Sequence, residues 1–141
     1  MERICPKCAK DPLCHSFKKV ADKNGLTLFF THPSKSKLYD DSDGMIAHVD
    51  NMITAIGNKK WSCIIDGSGF DLKHAAEISM GQRMFDLFMK KHAATVHEIH
   101  IINPTWHIEG ILKLVKSSMK PEMFAKVKVM DDRPRSVLEY I

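Results

Sequence analysis

Trp61-Ser62-Cys63-Ile64-Ile65-Asp66 and Glu98-Ile99-His100-Ile101-Ile102-Asn103 are two apolar runs of strand length, the second closed by Pro104. Each is apolar at successive positions: Ile64-Ile65 and Ile101-Ile102 present hydrocarbon to both faces of a pleated strand. Strands of that kind are covered on both sides, which is the habit of parallel sheets. Around them the apolar period changes to that of a helix. Met45, Val49, Met52, Ile53 and Ile56 recur at helical steps before Gly57, and Ile108, Ile111, Leu112, Val115 and Met119 form a stripe after Pro104. Between the two runs, Ala76, Met80, Met84, Leu87, Phe88 and Lys91 share one face of a long helix from about Leu72 to His92. Leu26 to Thr31 reads as a strand closed by His32-Pro33, Pro33 to Asp43 as a loop, and Ala125 to Met130 as a last strand. Pro134 to Ile141 predicts a short amphipathic helix with proline in its first turn. Strict alternation of strand and helix predicts an α/β fold, a mainly parallel β-sheet of right-handed βαβ units with helices packed on it.

The chain has 141 residues, 44% hydrophobic and 27% charged, which fits one packed domain and excludes disorder and coiled coil. No apolar run approaches the roughly 18 residues of a membrane span. Met1-Glu2-Arg3-Ile4-Cys5 has neither a signal-peptide core nor the character of a transit peptide, so a cytoplasmic location is expected. The charge of 21 basic against 17 acidic residues is +4 and scattered, which permits peripheral contact with anionic lipid headgroups. No aromatic-rich motif or recognition helix accompanies Lys7, Lys10, Lys18 and Lys19, so no nucleic-acid partner is expected.

Residues 1–20 read as a Cys/His-rich N-terminal arm and 21–141 as the domain. Cys5-Pro6-Lys7-Cys8 is a knuckle that lets two thiolates hold one metal, and with Cys14 and His15 it predicts a structural zinc site. Adjacent Cys14 and His15 reach one ion together only with a turned backbone, which makes His32 an alternative fourth ligand. Cys63, in mid-strand, reads as a buried inert thiol. His97-Glu98-Ile99-His100 is one residue short of the helical zinc-protease motif, and its histidines would face opposite sides of a strand. Asp66-Gly67-Ser68-Gly69-Phe70 lacks the Gly-Lys-Ser/Thr of a phosphate loop and reads as a glycine turn. Its likeness to the Asp-x-Ser-Gly of STAS domains makes Ser68 a distant candidate for regulatory phosphorylation. No serine, histidine and acid arrangement stands out, and no enzyme is expected.

Ile64-Ile65-Asp66 followed by Gly69, the long helix, Ile99-His100-Ile101-Ile102-Asn103-Pro104, Trp106, and Leu112-Lys113-Leu114-Val115-Lys116 come in a telling order. With the Met119-Lys120-Pro121-Glu122 turn and Lys126-Val127-Lys128-Val129, the segment from about 60 to 140 resembles the CRAL-TRIO domain of cellular retinaldehyde-binding protein and yeast-type phosphatidylinositol transfer proteins. The likeness is weaker over 26 to 57. It implies an apolar pocket for a lipid or other hydrophobic ligand, gated by the helix after the third strand. Here that helix carries Trp106, Ile108, Ile111, Leu112, Val115 and Met119, with Lys113 and Lys116 turned to headgroups. Lys126 stands where phosphatidylinositol-binding members have their headgroup lysine, whereas Ala94-Thr95 offers no carboxylate at the place of its glutamate partner. The closing strand and preceding helical region of the family have no counterpart, so a shortened member is expected. The alternative implied is a non-enzymatic adaptor or structural subunit that uses the same fold for protein interaction. Met45, Met52, Met80, Met84 and Met119 on inner helix faces suit an adaptable apolar cavity.

Overall fold

Phe17–Lys23 (β1) turns back through Asn24 and Gly25 into Leu26–Thr31 (β2), and the two strands pair antiparallel with Lys23 opposite Leu26. Asn24 and Gly25 have φ of 56° and 77°, which a two-residue turn needs if its twist is to match that of the strands. The computed structural model describes residues 16–36, 41–70 and 78–130. After β2 come a 3-10 turn (Pro33–Lys35), α1 (Ser42–Ala55), β3 (Lys60–Asp66) and α2 (Ile78–Asp86), which continues into a π turn (Leu87–Lys91). β4 (Val96–Ile102), α3 (Trp106–Ser117), α4 (Pro121–Phe124) and β5 (Val127–Met130) complete the described chain.

The sheet order is β1-β2-β3-β4-β5, and β2 to β5 are parallel. The α/β architecture is the one that the alternation predicts. Each parallel strand is added on the same side of the last, so crossovers of one hand drop their helices on one face. Accordingly, α1, α2 and α3 join Phe29, Trp61, Cys63, Ile65, Ile99 and Ile101 in a single core. The other face carries a smaller cluster of Leu28, Ile64 and Ile102, to which the described helices contribute nothing. Aromatic rings knit the first core together. Phe17 stacks on Phe29 at 5.1 Å, and Trp61 lies 5.3 Å from Phe88 and 6.1 Å from Phe29.

Three features depart from expectation. β1 takes residues 17–20 out of the expected arm and into the sheet. Its Lys18, Lys19, Asp22 and Lys23 blur any alternation, as an edge strand with a bulge between Lys19 and Ala21 allows. Lys91 leaves the apolar face of the long helix because the π turn, closed by His92 N–H to the Leu87 carbonyl at 3.1 Å, inserts a residue and buries Leu87, Phe88 and Met89 in succession. The expected turn at 119–122 runs into α4, started by Pro121 in its first turn. The expected helix from Pro134 to Ile141 lies outside the described residues.

Candidate functional site

α3 begins where it does because Pro104 ends the strand and the Thr105 hydroxyl accepts from the Ile108 N–H, at 3.5 Å. Its stripe then lands on the sheet, with Ile108, Ile111, Leu112 and Val115 all buried. Where it meets the carboxyl ends of the parallel strands it does not close completely. A cavity of about 80 Å³ lies there. Thr31, Ile65 and Ile101 form the sheet side, Met45 comes from α1, Met80, Gly81, Met84 and Phe85 from α2, and Ile108, Ile111 and Leu112 from α3. Pro33 and Phe70 complete the lining as far as the described residues form it, and among these there is no charged residue and one hydroxyl, that of Thr31.

Of the residues expected in a gate, Ile108, Ile111 and Leu112 line this cavity. Val115 is core packing further along the helix, and Met119 rests half-buried against the same core. Trp106 is 74% exposed and stacks on His107 at 3.7 Å, so it belongs to the outer surface and not to the cavity. Lys126 is not brought to the cavity either: its Nζ donates to the Val96 carbonyl at 3.1 Å, at the amino end of β4. The cavity is at the opposite end. Three of the expected methionines, Met45, Met80 and Met84, do line it. Cys5, Cys8, Cys14 and His15 lie outside the described residues. Among the described residues no group of three His, Cys, Asp or Glu side chains is placed to hold a metal. His32, the alternative zinc ligand, is engaged elsewhere.

Beside the cavity the strand ends are locked by polar contacts that the sequence reading missed. His32 Nε2 lies 2.9 Å from the Ser68 carbonyl and Nδ1 lies 3.5 Å from Asp66 Oδ2. The Ser34 hydroxyl donates to the same carbonyl. Asp66 Oδ1 accepts from the Ser68 N–H at 2.9 Å and from Asn103 Nδ2 at 3.2 Å. Gly67 must be glycine, since a Cβ there would sit 2.8 Å from the Asn103 carbonyl and from Ile108 Cδ1. His32, Asp66 and Ser68 thus gather, with the ring on the serine's backbone carbonyl and the Asp66 carboxylate taking hydrogen bonds from Ser68. The cluster is a clasp joining the β2, β3 and β4 ends. Cys63 is fully buried, and burial pushes its thiol far up, which makes it inert as expected.

Burial disfavours ionisation of Asp66, but hydrogen bonds from Ser68 and Asn103 and the neighbouring His32 outweigh it and hold the carboxyl below its ordinary value. On α1, burial of Asp50 is likewise outweighed by Lys91 and by His92, whose Nε2 lies 2.8 Å from the carboxylate. A carboxyl with a lowered folded pKa contributes stability above its unfolded pKa and loses it as pH falls through the folded value. The urea midpoint is therefore expected to fall as pH drops from 6 to 3, on the order of the ordinary carboxylate range. Asp66→Asn should flatten that dependence. An unchanged slope in the variant would remove Asp66 from the account.

A family model for the CRAL/TRIO domain matches residues 17–141, from the first residue of β1 onward. The chain belongs to the CRAL/TRIO family. Its members bind hydrophobic ligands. Among solved structures, 18 chains match. One of them, the crystal structure of Sfh5, superposes with a TM-score of 0.67 at 12% sequence identity, over 84% of this chain and 49% of that chain. At that identity the likeness is one of fold, and the present chain spans about half the length of that structure. No curated protein is similar enough in sequence to match. None of the helices among the described residues is long and apolar enough to cross a membrane.

Proposed function

We propose that this CRAL/TRIO chain binds a hydrophobic ligand in the cavity between the sheet and α3, with α3 as its movable cover, and that it acts by binding and not by catalysis. The observation that carries this reading is a cavity whose described lining is apolar but for one hydroxyl, roofed by a helix whose buried stripe is apolar throughout. Lifting α3 away entirely would expose Ile108, Ile111, Leu112 and Val115, at about 1.5–3 kcal/mol each. That sum rivals the roughly 5–15 kcal/mol stability of a whole domain, so a ligand enters by partial opening. Asn103, at φ 48°, and Pro104 mark where the cover would swing. Purified protein mixed with a total lipid extract, washed and sprayed under native conditions should carry a mass adduct released by organic solvent. A spectrum of bare protein at every lipid concentration contradicts the reading.

A second reading is favoured by the outer face of α3. Trp106 and Leu114 are 74% and 46% exposed among Lys113 and Lys116, which suits an adaptor contact or a peripheral contact with a membrane surface. For the arm, the proposal is a structural zinc held by Cys5, Cys8, Cys14 and His15. Elemental analysis should find about one zinc per chain, as one tetrahedral site requires, and its loss in the Cys5→Ser/Cys8→Ser double variant. Full metal content in that variant would dispose of the site.

A further inference from the structure

Resting on the reading of the cavity as a ligand site, we infer that its occupant is a single slender, uncharged apolar chain and that Gly81 sets the bore. The cavity of about 80 Å³ is far below the roughly 300–1,000 Å³ of ordinary small-molecule pockets. As it stands it holds the end of one chain. Met45, Met80 and Met84 can widen it without moving backbone, because an unbranched thioether side chain has three rotatable bonds and adapts to what it meets. What limits that widening is the approach of the two helices. α2 and α3 pinch together at Gly81, where a Cβ would lie 3.1 Å from Ile111 Cγ2. Glycine is a poor helix former, and here it supplies clearance between two helices, so the missing side chain is what keeps the passage open.

The charge around the site speaks for the same class. Among the described residues, a phosphate or carboxylate drawn into this lining would lose its water and meet no cation, only the Thr31 hydroxyl. Lys126 donates to a carbonyl at the other end of the sheet, and Arg83 on α2 is paired with Asp43 at 2.9 Å.

The test uses the full chain, its Gly81→Ala and Gly81→Leu variants, and two probes kept apart: cetyl alcohol, and vesicles of egg phosphatidylcholine. Circular dichroism checks that each variant is folded. The wild type should bind cetyl alcohol and take no phosphatidylcholine from the vesicles. Gly81→Ala should weaken the alcohol measurably and Gly81→Leu by at least about tenfold. If the leucine variant does not fold, the alanine variant decides. Extraction of phosphatidylcholine by the wild type as readily as binding of the alcohol would overturn the single-chain inference and leave the cavity reading standing. Unchanged alcohol affinity in the folded variants would overturn the role of Gly81. Binding of neither probe would overturn the inference and the cavity reading together.

Discussion

Trp61→Ala is expected to leave much of the population unfolded under conditions where the wild type is native. Trp61 has no exposed surface, sits between Phe29 and Phe88, and its indole Nε1 donates to Thr95 Oγ1 at 3.0 Å. Its loss removes the ring that joins β3 to the π turn and cuts the tie to the loop before β4. Substitutions of this kind cost about 3–5 kcal/mol, against a total that for most domains is only about 5–15 kcal/mol. Trp61→Phe keeps one ring but gives up the second ring and the hydrogen bond, and should fall between the other two. Urea titrations of the three proteins check the order. Equal midpoints for Trp61→Ala and the wild type would mean that this cluster is not what holds the sheet to its helices.

Ile111→Ala should destabilise the empty protein by about 2–5 kcal/mol and yet make it respond more strongly to ligand. Ile111 is buried, borders the cavity and faces Gly81, so truncation enlarges the existing space where α2 and α3 meet. Apolar cavities so enlarged stay dry and accept small apolar molecules. Saturation at a hundred times Kd restores about 2.7 kcal/mol, a large part of the loss. Thermal melts with and without benzene measure both effects. A destabilised variant whose melting point benzene does not raise would show that the space at Ile111 is not a binding cavity.

The parallel core was legible because burial on both faces leaves a mark in composition: Ile64-Ile65 and Ile101-Ile102 can only be central strands. The stripe of α3 was legible for the same kind of reason, since one apolar face at helical spacing must cover something. β1 was not. Its charged residues suit an edge, and the informative signal was the Asn24-Gly25 turn, whose positive φ values suit a tight hairpin. The π turn was beyond sequence periodicity, because it breaks the period on which that reading depends. At the site, the apolar stripe of α3 does not distinguish cavity lining from core packing: Ile111 and Val115 look alike in sequence, and only the first meets open space. Gly81, a poor residue for a helix interior, is a clearance between α2 and α3, which only the packed structure shows. The clasp of His32, Asp66, Ser68 and Asn103 joins residues far apart in the chain, so no local pattern announces it.

The central claim is that a hydrophobic ligand occupies the space under α3, and photolabelling tests it most directly. A long-chain alkyl diazirine, activated with the protein and mapped by peptide mass spectrometry, should mark peptides carrying Met80 to Phe85 and Ile108 to Leu112, with competition by unlabelled alcohol. Labelling confined to the outer surface around Trp106 and Leu114, or undiminished by competitor, would contradict it.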